Sequence, residues 1–192
     1  MANGNAWELR VTRLGIQKNS DGKQRTYGSY QVFLSGQPIA ALQGHMCECI
    51  GPGDNKHAGN DKRIEQGRYP LWTQFGERYV SIGYSTDTTK PAVLPMPGIG
   101  LRDTGNRSAI LVHPGHPPNL YLSSIGCLNP TQPLGPQDDM DFLESRSRVI
   151  AMIESLKQFS PASFQRQHPA PIPDAWVVID GEPDQPLAPG VA

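Results

Sequence analysis

Residues 7–50 read WELRVTRLGIQKNSDGKQRTYGSYQVFLSGQPIAALQGHMCECI. Three runs, WELRVTRLGI, TYGSYQVFLSG and QPIAALQGHMCECI, alternate β-branched, aromatic and aliphatic residues with polar ones. The first two are separated by the turn-forming QKNSDGKQ. Period-two alternation broken by Gly, Asn, Asp and Ser is the pattern of hairpins. Composition agrees. Hydrophobic residues are 37% of the chain, and 20 Gly and 19 Pro punctuate its 192 residues, which favours turns and short strands over long helices. A mainly β, loop-rich protein of one domain is expected.

Further along, GPGDNKHAGNDK (51–62) has almost no apolar residue and is read as a surface loop. RIEQGRYPLWTQFGERYVSIGYS (63–85) offers two more strands around a glycine. The short apolar run SAILVH (108–113) fits a buried strand with His113 at its end. One helix is expected near 138–158. There Phe142, Val149, Ile150, Ile153 and Leu156 recur near helical spacing, with Asp138, Asp139 and Asp141 at the start and Lys157 at the finish, as the helix dipole prefers. Residues 1–160 are read as the domain. Residues 161–192 are read as a Pro-rich extension containing one short strand, AWVVIDGE.

The charge balance, 17 basic against 18 acidic residues for a net of −1, gives no broad footprint for nucleic acid or an anionic bilayer. No stretch reaches the roughly eighteen apolar residues of a membrane span, and MANGNAWELRVTRLG lacks the apolar run of a secretory signal. Synthesis in the cytoplasm, without nucleic-acid or membrane partners, is expected. Three cysteines cannot all pair within one chain, so at least one thiol is free.

The chemistry concentrates in VHPGHPPNLYLSSIGCLN, residues 112–129. A thiol needs a partner that generates its thiolate at neutral pH, and histidine is the usual one. His113 precedes Cys127 by fourteen residues. Gly126, just before Cys127, lets the backbone turn sharply and leaves amides free to face a developing oxyanion.

These residues resemble the L,D-transpeptidases, the YkuD-type cysteine enzymes of bacterial cell walls. That family carries a histidine, a variable stretch and a Ser-His-Gly-Cys-x-Asn run. Here His113 is followed by Ser124-Ile125-Gly126-Cys127-Leu128-Asn129, with isoleucine where the family has its second histidine. RIEQGRYPLW, PGIGLRDTG and ILVHPG also look like a smaller group of phage- and secretion-associated bacterial proteins with the same layout. The likeness spans roughly residues 8–135.

The resemblance implies a β-sandwich or barrel-like fold of the L,D-transpeptidase type, with Cys127 as nucleophile and His113 as base. Ser124 and Gly126 would shape the catalytic turn. Asn129, Arg102, Arg107 and His116 are grouped as substrate contacts, the arginines because a guanidinium pairs bidentately with a carboxylate. The implied substrates are peptidoglycan stem peptides, and the implied activity is transpeptidation or carboxypeptidation through an acyl-enzyme. Action in the periplasm or cell wall would then need a secretion or phage lysis route. An immunity protein, or a component of such a system, would be the protein partner of an antibacterial effector. The alternative is a non-enzymatic binding or structural module of a phage or secretion system that keeps the fold. No cofactor and no metal are expected: His45, Cys47, Cys49 and His57 offer zinc-ligand types, but Cys-x-Cys is not the usual zinc spacing. Cys47 and Cys49 are read as half-buried strand cysteines.

Overall fold

The computed structural model describes residues 5–90 and 93–187. Strands β1 (Trp7–Lys18), β2 (Gln24–Leu34) and β3 (Gln37–Glu48) form two consecutive antiparallel hairpins, as the alternation predicts. The β2–β3 link is the pair Ser35-Gly36, both at positive φ (51° and 80°). That is the backbone of a primed two-residue turn, whose twist matches that of the strands it joins. In β1, Leu9, Val11, Arg13 and Gln17 are buried while Arg10 and Thr12 face out. The inner face is therefore apolar toward the start of the strand and polar toward its end.

The remaining strands are β4 (Gly67–Thr73), β5 (Tyr79–Val80), β6 (Met96–Pro97), β7 (Ile99–Leu101), β8 (Leu111–Val112), β9 (Asn129–Thr131) and β10 (Pro171–Asp180). Eight of the ten make one sheet in the order β8-β7-β4-β10-β1-β2-β3-β9, and β5 and β6 pair separately in parallel. The two ends of the large sheet meet. Val112 bridges Leu128 in parallel: the His113 N–H donates to the Leu128 carbonyl at 3.0 Å, and the Leu128 N–H donates to the Leu111 carbonyl at 2.9 Å. This short seam brings the sheet close to a closed barrel and removes much of an exposed edge.

The helix, α1, runs Phe142–Phe159, four residues later at its start than the acidic cluster predicts. Asp141 is the N-cap, its Oδ1 accepting the Glu144 N–H at 2.8 Å. Asp138 instead caps a preceding turn by accepting the Gly135 N–H. Val149, Met152, Ile153 and Leu156 of α1 enter the core that holds Trp7, Leu9, Val11, Val32 and Val177, and the Trp7 indole donates to Ser155 Oγ at 2.9 Å.

The C-terminal segment corrects the domain reading. After a short 3-10 helix (Pro161–Gln165), β10 lies in the middle of the sheet, parallel to β1 and antiparallel to β4. Residues 171–180 are thus integral to the barrel and not an extension from it. Ile172, Ala175, Val177 and Ile179 supply the buried face. An irregularity between Pro171 and Trp176, with Asp174 at φ 56°, absorbs the proline-rich start.

Candidate active site

The seam that closes the barrel carries the site. Leu128 pairs with Val112, so Cys127 and Asn129 fall beside Leu111 and His113. Being two residues apart, they share one face of the strand. Two contacts mark this pairing: the Leu111 N–H reaches Cys127 Sγ at 3.3 Å, and Asn129 Nδ2 donates to the His113 carbonyl at 3.0 Å. Chain closure therefore brings His113 and Cys127 to one side of adjacent strands.

His113 is buried, and its Nδ1 lies 2.8 Å from the Pro114 carbonyl. A carbonyl can only accept, and Asn129 Nδ2, 3.3 Å from the same Nδ1, already donates to the His113 carbonyl, so the closer Pro114 contact assigns the proton to Nδ1 and the lone pair to Nε2. Nε2 makes no hydrogen bond among the described residues. The Tyr79 ring covers the imidazole at 4.4 Å between centroids. Burial pushes the His113 imidazole down to about 3, against the opposing effect of the Pro114 bond, with His116 and Arg78 adding to the depression.

Cys127 is half-buried and unpaired. Its thiol donates toward the Ala109 carbonyl at 3.5 Å. Burial pushes it up to about 11, despite the Leu111 N–H that favours the thiolate. The resting pair is a neutral thiol and a neutral imidazole. Sγ has Leu111 and Ala109 as partners, not His113.

The 124–127 turn is held from three sides. Ser124 Oγ donates to the Cys127 carbonyl at 2.8 Å, so this serine shapes the turn and makes no bond to the histidine. The Cys49 thiol donates to the Ser124 carbonyl at 3.1 Å. Arg107, expected to meet a substrate carboxylate, is buried; its guanidinium binds the carbonyls of Ile125, Lys62 and Asp54 at 2.8, 2.6 and 3.3 Å. Its donors are committed to the backbone. Arg102, half-exposed, lies over the Trp72 ring and bonds the Leu101 carbonyl, with no hydrogen bond to residues 124–129. His116, grouped from sequence with the substrate contacts, is buried, and its Nε2 accepts from the Tyr79 hydroxyl. Ile125 is two-thirds exposed beside Cys127.

Gly126 sits at φ 142°, and a Cβ there would collide with the Arg107 guanidinium. That group could swing aside only by leaving its carbonyls. Gly126→Ala should therefore cost about 3 kcal/mol, combining backbone strain with a charged hydrogen bond. Urea unfolding checks this; an unchanged midpoint would show that the turn relaxes freely.

Stability should also fall in acid. The unfolded chain protonates its histidines near pH 6.5, whereas folded His113 stays neutral to about 3. Between these values the unfolded state binds the extra proton, so stability declines as pH drops through this window by about 1.4 kcal/mol per unit for this one group. Denaturant titrations at pH 7, 5.5 and 4.5 should give a shallower slope for His113→Gln; equal slopes would contradict the depression.

Sequence reasoning did not single out Tyr79, and it weighed Cys49 only as a zinc-ligand type, not as a support of the 124–127 turn. Tyr79 lies in a segment legible only as a strand, and Cys49 reads as one of two strand cysteines. Both Cys47 and Cys49 are buried, and the Cys47 thiol is pushed up to about 12 by that burial. Among the described residues no three His, Cys, Asp or Glu side chains form a group able to hold a metal ion. No family model, no curated protein and no solved structure matches the chain.

Proposed function

We propose that the chain is a peptidoglycan-acting cysteine enzyme of the L,D-transpeptidase type, with Cys127 as nucleophile and His113 as base. The observation that carries this reading is the parallel seam, which sets the two residues on one face of neighbouring strands. The Pro114 carbonyl 2.8 Å from His113 Nδ1, which assigns the proton there and leaves Nε2 as the basic atom, supports it.

In the proposed reaction Cys127 Sγ attacks the carbonyl on the L-centre of a diamino acid whose next residue is D-alanine. The thiol proton passes to His113 Nε2 and then to the leaving amine of D-alanine. The thiol at about 11 and the imidazole at about 3 are ordered against a resting ion pair, so the proton leaves as the C–S bond forms. The Cys127 N–H has no acceptor among the described residues, and the Gly126 N–H has only Ser124 Oγ at 3.4 Å. These amides are free to hold the oxyanion, at about 3 kcal/mol per donor by the precedent of other hydrolases. An amine then resolves the thioester to a crosslink, or water resolves it to a trimmed peptide. Access to peptidoglycan would come through a secretion or phage lysis route.

The test is mass analysis of stem peptides after incubation with the protein. Loss of D-alanine, D-alanine exchange or new crosslinks supports the reading, and unchanged masses overturn it. The neutral resting thiol favours a second reading, a non-enzymatic module that binds such peptides. That reading requires saturable binding, equal in the wild type and Cys127→Ala, with no acyl adduct on Cys127 in intact-protein mass spectra.

A further inference from the structure

Residues 113–118 read His-Pro-Gly-His-Pro-Pro, and the two histidines are built alike. His113 Nδ1 donates to the carbonyl of Pro114 at 2.8 Å, and His116 Nδ1 donates to the carbonyl of Pro117 at 2.9 Å. In each ring the bond to the following proline leaves the lone pair on Nε2. Tyr79 joins them. Its ring lies against His113, 4.4 Å between centroids at 31°, and its hydroxyl donates to His116 Nε2 at 2.7 Å. Burial pushes that hydroxyl up to about 12, so it remains a donor at neutral pH. Tyr79 belongs to the two-residue strand β5, outside the large sheet. Its side-chain hydroxyl has one hydrogen bond among the described residues, the one to His116.

We propose that Tyr79 and His116 are positioning residues for His113: the hydroxyl-to-Nε2 bond holds the Tyr79 ring against the His113 imidazole, keeping water from that face and aiming the free Nε2 at the Cys127 thiol proton. This rests on the reading of His113 as the base. The ionisable groups around the imidazole are Tyr79, His116 and Arg78, with the Cys127 thiol close enough to influence Tyr79. Neither Tyr79 nor His116 takes or gives a proton in the reaction; each acts through the orientation and dryness of His113.

Four variants separate the parts. Tyr79→Phe keeps the ring and removes the bond, while Tyr79→Ala removes both. His116→Leu removes the acceptor, and His116→Gln keeps one near the place of Nε2. Imidazole nitrogen NMR should show wild-type His113 neutral and protonated only on Nδ1 down to about pH 5. In Tyr79→Ala its titration midpoint should rise by about one unit or more as water reaches the ring. In Tyr79→Phe and His116→Leu the His113 resonances should broaden, and His116→Gln should restore them. With stem peptides, kcat should fall about tenfold in Tyr79→Phe and His116→Leu while KM stays within about twofold. His116→Gln should recover most of the loss.

A wild-type His113 spectrum and pH–kcat profile in all four variants would overturn the inference. The spectra need no turnover. If they shift as stated while no peptide is ever processed, the acyl-transfer reading fails and the tyrosine clamp stands. If turnover is normal in every variant, the clamp fails and the acyl-transfer reading stands.

Discussion

Cys127→Ala should reduce stem-peptide processing by about 10⁴-fold or more, because it removes the sulfur that forms the proposed thioester. The loss should appear in kcat. Alanine keeps the carbonyl that Ser124 Oγ binds and the amide at position 127, so the turn and peptide binding persist. What the substitution removes structurally is one weak contact to the Ala109 carbonyl and one accepted N–H from Leu111. Thermal stability should therefore hardly move. His113→Ala should cost less, about 10²–10⁴-fold, since a general base assists a nucleophile that stays in place. Mass spectrometry of stem peptides and of the intact protein checks both. Equal processing by Cys127→Ala and wild type would eliminate Cys127 as nucleophile, and a larger loss in His113→Ala than in Cys127→Ala would invert the assigned roles.

Glu48→Gln should be the most destabilising change of a single charge. Arg13 on β1 and Glu48 on β3 face each other with their side chains 0% and 2% exposed. The pair is bidentate: Arg13 Nε and one terminal nitrogen bind the two carboxylate oxygens at 2.9 and 2.8 Å. Burial acts to lower the Arg13 pKa, but the contacts with Glu48 and Glu182 overcome it and the net shift is upward. Removing one partner of a buried pair costs roughly 3–5 kcal/mol because a charge is left in a poor solvent. Glu182, 2.8 Å from Arg13 and one-third exposed, retains part of the compensation, which puts the loss at about 3 kcal/mol. For a chain of this size that corresponds to a fall in Tm of roughly 6–12 °C. Replacing both residues, Arg13→Met with Glu48→Leu, should recover at least half of it, since apolar side chains leave no charge to solvate. A Tm within about 2 °C of wild type for Glu48→Gln alone would mean that water enters the barrel at this level.

Several parts of this molecule are legible in the chain itself. The hairpins β1–β3 follow from alternation and turn residues, because a pleated strand repeats every two residues and only a few residue types tolerate the turn backbone. The helix follows from its apolar spacing and its acidic start. Its first residue does not, since three nearby aspartates, Asp138, Asp139 and Asp141, compete to cap and only tertiary packing selects Asp141. The His113 and Cys127 positions stand out because their chemistry is rare in this composition.

Arg107 shows the opposite case. The residue type suits a carboxylate ligand and a buried strut equally well, and the choice was made by loops 54–62 and 125 folding onto it. Tyr79 belongs to the same class: its partners are 34 and 37 residues away, and nothing in its neighbours names them.

By itself, then, the sequence determined the local strands, the one long helix and the two residues, His113 and Cys127, whose types suit a base and a nucleophile, all of which depend on nearest-neighbour geometry and side-chain type. Tertiary structure decided the rest. It inserted β10 between β1 and β4, although more than 150 residues separate β10 from its parallel partner, and it closed the sheet through a single bridge between Val112 and Leu128. Any strand with one apolar face could fill the central place in the sheet. Only the summed burial of all the inner faces, reached when the ring of strands is nearly complete, selects this order and with it the placing of His113 and Cys127 on one face of adjacent strands.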